Sequence, residues 1–255
     1  MKRLLLLPFL CAAVTAIGIA LDPTTAAPRF YQVLLIVAAL ATAIGGYATT
    51  TRFAPGDNLF VSWLFVGIGY SLSTIRYSIR LIALLTGTTL LPRGVLDTML
   101  ILQNVAIAVA LLMFVRAWRA TGLTANETHG KHAMYVLLGI IVALVVGGYP
   151  LVQGFQTRGA STVLLISTLG DVVGIALIVP LTLSALALRG GLLMQVWLAL
   201  ALTELFWMFY DVWLAVREHL AGARVGTGIE QMIRVTAIVF AFVATVAQRR
   251  AAPRA

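Results

Sequence analysis

Charge and sulfur are what this sequence has least of. Of 255 residues only 11% are Asp, Glu, Lys or Arg, three are histidine, and Cys11 is the single cysteine. Soluble domains carry about 25% charged and about 45–50% apolar residues, whereas 61% of this chain is hydrophobic and its mean hydropathy is +1.00. A water-soluble globule is therefore excluded. The apolar content also excludes a disordered chain, and one cysteine cannot build a disulfide scaffold. The formal charge is +9, but the cations sit on short connectors between apolar runs and not on one basic face. That distribution excludes a nucleic-acid partner.

Two narrower absences bear on chemistry. His129, His132 and His219 fall in connectors or at helix ends, so no histidine lies within an apolar run. This argues against haem held between intramembrane histidines and against a buried copper or zinc centre. His129-Gly130-Lys131-His132 reads as a solvated loop, having no neighbouring cysteine. Lys2 and Lys131 also lie outside the runs, which excludes a retinal Schiff base. No cofactor or metal is expected.

What is present is apolar runs of spanning length. A spanning helix needs roughly 20 mostly apolar residues, because its backbone polar groups must be satisfied within the segment. Eight segments qualify: Leu4–Leu21, Tyr31–Thr50, Leu59–Leu85, Val95–Val115, Ala133–Phe155, Ala160–Leu188, Leu192–Val216 and Ile229–Ala247. The connectors, such as Asp22-Pro23-Thr24-Thr25 and Ala54-Pro55-Gly56-Asp57-Asn58, carry turn residues. None is long enough for a soluble domain. The expected fold is all-α: one polytopic membrane bundle of eight transmembrane helices over residues 1–255.

Lys2-Arg3, the first apolar run and Thr25-Ala26-Ala27 also read as a signal peptide, whose removal would leave seven spans. The run exceeds the usual signal core of about 7–15 residues, which favours retention. With eight spans, the side holding both termini collects ten Lys and Arg and the other side five, while Arg76, Arg80 and Arg234 fall within spans. Basic residues are retained in the cytoplasm, so both termini are expected inside. The cytoplasmic C-terminus holds for seven spans too. Sixteen Arg against two Lys, with abundant Ala, Leu, Val and Gly, suggest a GC-rich bacterial genome, and hence the inner membrane.

Ionisable side chains within a membrane cost about 2.5–3.5 kcal/mol each at helix centre, and those that persist face the bundle interior and mark ligand or ion pathways. Here they are Arg76 and Arg80 at i,i+4 in the third span, Asp171 in the sixth, and Glu204 and Asp211 at i,i+7 in the seventh. Trp197, Trp207 and Met208 share the last stripe. Asp97, Gln103 and Asn104 open the fourth span, and Glu230 and Arg234 open the eighth. Arg76, Arg80 and Asp211 come late in odd spans, whereas Asp97, Gln103, Glu230 and Arg234 come early in even ones. Since odd and even spans run oppositely, all lie toward one face, which the charge count makes the outer one. Asp171 and Glu204 are expected deeper. The pattern predicts an outward-facing polar pocket lined by spans three, four, six, seven and eight, with spans one and two as packing.

Other assignments stay open beside it. The arginines and acids could form a buried ion-pair network, and Glu230 and Arg234 are spaced to pair with each other. Trp207 could wall the pocket, while Trp213 suits an interfacial belt. Glycines such as Gly67, Gly69, Gly147, Gly148, Gly170 and Gly174 suit close helix packing. Leu169-Gly170-Asp171 and Tyr210-Asp211 resemble the GxGD and YD motifs of intramembrane aspartyl proteases. However, Thr168 replaces the first Gly, the order is reversed relative to the presenilin type, and no Pro-Ala-Leu motif occurs. Asp97 and Glu230 each open a span, a weak four-plus-four correspondence of the kind transporters show, but Pro150 and Pro180 fall in neighbouring spans and not at matching positions.

Leu169-Gly170-Asp171-Val172-Val173 through Leu188-Arg189-Gly190-Gly191, followed by Trp197 and the acidic stripe to Tyr210-Asp211, resembles the multi-spanning sensor regions of bacterial histidine kinases and diguanylate cyclases. The resemblance covers spans six and seven. It implies a bundle that detects a ligand or membrane state and passes a shift to an output domain. After Ala247 only Gln248 to Ala255 remain, so an output partner, in the membrane or cytoplasm, is expected. The function expected is therefore a non-enzymatic inner-membrane sensor or receptor, surrounded by membrane lipids, that binds a small or amphipathic ligand. A small secondary transporter and a lipid-modifying membrane enzyme are the alternatives.

Overall fold

The computed structural model describes residues 5–21, 26–120, 129–156, 162–187, 191–220 and 226–252. These form eight helices: α1 (Leu7–Leu21), α2 (Ala26–Thr50), α3 (Asn58–Thr86), α4 (Arg93–Ala120), α5 (His129–Gln156), α6 (Thr162–Ala187), α7 (Leu192–Leu220) and α8 (Gly226–Ala251). Six of them, α2, α3, α4, α6, α7 and α8, contain a stretch long and apolar enough to cross a membrane. The apolar stretches of α1 and α5 are shorter, Leu7–Gly18 and Met134–Val145. Lys2, Arg3 and the Asp22–Thr25 connector lie outside the described residues, as do the side chains of His129 and His132.

The turn chemistry read between the second and third segments is present. Gly56 takes φ 93, a left-handed conformation that favours glycine, and the Ala54 N–H donates to Asp57 Oδ2 at 3.2 Å. At its other end α3 stops at Gly87, whose φ is 68 and whose N–H donates to the Ala83 carbonyl at 2.9 Å. Such a left-handed glycine satisfies a carbonyl that the helix cannot.

The long apolar helices pack in a closed order, α2 on α3, α3 on α4, α4 on α6, α6 on α7, α7 on α8 and α8 on α2. They form a ring of six. α1 packs on α8, where the Phe9 and Phe240 rings meet edge to face at 5.6 Å, and α5 packs on α6 and α7. Outside the ring, Val37 and Ile44 of α2, Leu102 and Val105 of α4 and Leu144 and Val145 of α5 are exposed. So much apolar surface on a helical bundle belongs against lipid.

Helix association in lipid relies on close packing and interhelical hydrogen bonds, since burial from lipid gains little. The Thr42 hydroxyl of α2 donates to the Ile238 carbonyl of α8 at 3.2 Å, and Thr49 to the Thr245 carbonyl at 3.4 Å. At Gly46 a Cβ would stand 2.9 Å from the backbone nitrogen of Gly67, so α2 and α3 meet almost backbone to backbone.

One half of the ring interior is aromatic. Trp63 of α3 meets Phe114 of α4 edge to face at 5.0 Å, Phe114 meets Trp197 of α7 at 5.4 Å, and Trp197 meets Trp118 at 6.1 Å. All four are buried. Trp197 thus leaves the stripe on which it was expected. It stands about 21 Å from Asp211 along α7 by the rise of about 1.5 Å per residue. Met208 also leaves the stripe, packing with Ala143, Val172 and Ile175 between α5, α6 and α7.

Candidate ligand-binding cavity

The other half of the ring holds a cavity of about 120 Å³. Arg76 and Arg80 reach it from α3, Gln103 and Asn104 from α4, Asp171 from α6, Glu204, Trp207 and Asp211 from α7, and Arg234 from α8. Apart from Glu204, which stands just before the middle of α7, these side chains come from the later part of odd helices and the earlier part of even ones, as an up-and-down chain requires. The five lining helices are those expected. α2 completes the ring without lining the cavity. Two of the expected residues stand elsewhere: Asp97 pairs with Arg93 one turn away at 3.9 Å, and Glu230 lies beyond the cavity wall, accepting from the Tyr210 hydroxyl at 3.4 Å.

The arginines gather around tyrosine rings. The Arg76 guanidinium lies 5.4 Å from the centre of the Tyr77 ring, and that of Arg234 lies 5.1 Å from the same ring and 5.5 Å from the Tyr210 ring. A ring face attracts a cation without neutralising it. Arg234 Nη1 also donates to Gln231 Oε1 at 3.3 Å. Arg80 is exposed at the rim, within electrostatic reach of both other guanidinium groups.

The acids gather separately. Asp171 of α6 and Asp211 of α7 lie against each other, with Thr168 beside Asp211. Asp171 was expected deeper than Asp211. Counted from the helix ends, both lie about 14 Å in, and only Glu204 is deeper. Glu204 packs over Gly174 of α6, the position one turn beyond Gly170, and lines the cavity with Tyr70.

Among the described residues no ion pair joins Arg76, Arg80 or Arg234 to Asp171, Glu204 or Asp211. The buried ion-pair network held open by the sequence is therefore not what these side chains form. Instead, polar atoms are left over: Arg76 Nε, Gln103 Oε1, Asn104 Nδ2 and Asp211 Oδ2 are buried without a hydrogen-bond partner. Buried polar groups are nearly always satisfied, at a cost of about 1–3 kcal/mol when they are not. A cavity walled by several such atoms suits a polar occupant. No three His, Cys, Asp or Glu side chains are gathered for a metal ion among the described residues.

Tyr70 and Tyr77 belong to the site and were not singled out from the sequence, whereas Tyr210 and Thr168 were read only against the protease motifs. Tyr70 and Tyr77 stand at i,i+7 on the arginine-bearing helix, which is the one signal that pointed to them. The contact of Arg234 with Tyr77 joins α8 to α3 and leaves no trace in spacing. Compared with known proteins, the chain matches no family model, no curated protein and no solved structure.

Proposed function

We propose that the protein is a bacterial inner-membrane receptor of sensor type. It has eight spans, both termini in the cytoplasm, and a polar cavity that opens to the outer side and binds a small ligand. The observation that carries this is the asymmetry of the six-helix ring. One half holds the charged cavity, with Arg80 at its rim, and the other is filled by Trp63, Phe114, Trp118 and Trp197. A chamber blocked at one end suits holding a ligand better than passing it on. The ten-to-five excess of basic residues supports the outward direction.

Size limits the ligand. Sites for drug-sized molecules run about 300–1,000 Å³, against about 120 Å³ here. A compound of a few heavy atoms fits, as does the headgroup of an amphipathic molecule. Occupancy would bring the arginine helices α3 and α8 and the acid helices α6 and α7 to a common ligand. A shift between these pairs is what a membrane or cytoplasmic partner would read.

The test uses the purified full chain in proteoliposomes. A receptor shows ligand-dependent stabilisation with neither turnover nor gradient-driven flux, and Arg76→Gln removes the stabilisation. Uptake that follows a gradient and is lost in Glu204→Gln would make the protein a transporter. The adjacency of Asp171 and Asp211 favours a second possibility, since paired carboxyl groups can divide acid and base roles. A lipid-modifying enzyme would convert a lipid substrate and lose that turnover in both Asp171→Asn and Asp211→Asn.

A further inference from the structure

Resting on the receptor function proposed above, we infer that the ligand is a small zwitterion, an anionic group and a primary ammonium a few bonds apart, bound with the anion at Arg76, Arg80 and Arg234 and the ammonium at Asp171, Glu204 and Asp211. The cavity brings three guanidinium groups and three carboxyl groups into one space and keeps them apart. Arg76 and Arg234 lie against the Tyr77 and Tyr210 rings, while Asp171, Glu204 and Asp211 line the cavity from α6 and α7.

Guanidinium is built to bind carboxylate or phosphate with two parallel hydrogen bonds. Arg76 is 5% exposed and its Nε has no partner, so one edge of that fork is available. At the other end, Asp211 is 3% exposed and its Oδ2 has no partner. A primary ammonium offers three N–H donors and no acceptor, which matches a wall of carboxyl oxygens. A simple anion would satisfy the arginines and leave the acids as they are, and a simple cation would do the reverse. Only a molecule carrying both charges answers both ends.

The two ends are close enough for one small molecule. Tyr70 and Glu204 line the same cavity as Arg76, Tyr70 and Arg76 are about 9 Å apart along α3, and the long arginine side chain shortens that gap. Tyr210 stacks under Arg234 while its neighbour Asp211 belongs to the acid group. A free amino acid and a phosphoethanolamine headgroup both have this chemistry.

The experiment measures binding to the full chain in nanodiscs by calorimetry. Glycine and O-phosphoethanolamine are the zwitterions, and acetate, inorganic phosphate and ethanolamine carry one charge each. Phosphocholine, whose ammonium has no N–H, completes the set. At least one zwitterion should bind tenfold or more tightly than each single-charge control, and phosphocholine should bind tenfold or more weakly than O-phosphoethanolamine. Glu204→Gln should bring the ratio of zwitterion to phosphate or acetate toward one, and Arg80→Gln, at the exposed rim, should weaken zwitterions and anions alike. Nanodiscs with and without phosphatidylethanolamine identify the source: competition by that lipid assigns a headgroup, and its absence a free solute. Phosphate or acetate binding as tightly as the zwitterions would overturn the zwitterion and leave the receptor standing. If ligands of every class fail to bind, both proposals fall.

Discussion

The Glu204 carboxylate of α7 lies over Gly174 of α6, in the space that a methyl group at residue 174 would occupy. Gly174→Ala must therefore move that carboxylate. Because the displaced atoms are the flexible tip of a side chain, the cost should sit at the low end of the range of about 1–3 kcal/mol for overpacking and be offset by up to about 1 kcal/mol of helix propensity. The acid end of the cavity should change nonetheless. Thermal unfolding near that of the native chain, combined with ligand binding altered as in Glu204→Gln, is the expected pair of results. A variant with unchanged binding would show that Glu204 does not set the cavity.

The guanidinium groups of Arg76 and Arg234 both lie within 5.4 Å of the centre of the Tyr77 ring, whose hydroxyl is buried without a hydrogen-bond partner. Tyr77→Phe keeps the ring and removes the unsatisfied group, so it should equal or exceed the native chain in stability. Tyr77→Leu removes two cation–π contacts at about 0.5–2 kcal/mol each. It should unfold at a clearly lower temperature. Equal losses in the two variants would mean that the hydroxyl matters and the ring does not.

Helix approach gives a paired comparison. Gly46 meets the backbone of Gly67, which cannot swing aside, whereas Gly148 of α5 faces open space. Gly46→Ala should separate α2 from α3 and cost about 1–3 kcal/mol or more. Gly148→Ala should be neutral or gain up to about 1 kcal/mol from helix propensity. Both are read by thermal unfolding in the same detergent.

The aromatic half of the ring is expected to carry stability. Trp63→Ala removes the fully buried ring that packs on Phe114, and such truncations cost about 3–5 kcal/mol. Trp63→Phe should recover most of that loss. If Trp63→Ala leaves unfolding unchanged, the packing there is not what holds α3 to α4.

Sidedness can be read with single cysteines. Cys11 is the only native one, so Cys11→Ala provides a clean background. With the cavity facing outward, a membrane-impermeant maleimide should label Arg80→Cys from outside the cell. Arg52→Cys, at the opposite end of α2 and α3, should react only after the membrane is opened. The opposite result would turn the bundle over.

Hydrophobicity and parity went far with this chain. Each of the eight apolar segments is helical over its described residues, and six of those helices are long and apolar enough to cross a membrane, where backbone groups have no partner but one another. The late position of Arg76, Arg80 and Asp211 and the early position of Gln103, Asn104 and Arg234 brought them to one level, since depth along a helix is simply a count of residues. Trp207 was placed on the cavity side for the same reason, by its i,i+4 relation to Asp211.

Spacing along one helix says nothing about what a side chain meets across the next. Asp171 shares a cavity wall with Asp211 because α6 and α7 pack at a particular height, and Glu204 finds its place because residue 174 has no side chain. Arg234 turns to the Tyr77 and Tyr210 rings, and Asp171, Glu204 and Asp211 turn to the cavity, because helix rotation and rotamers are chosen by packing among α3, α6, α7 and α8. The amino-acid order determined which residues stand on the apolar helices and at what height along them; the tertiary structure alone decided that acids and arginines at that height would share a cavity without pairing.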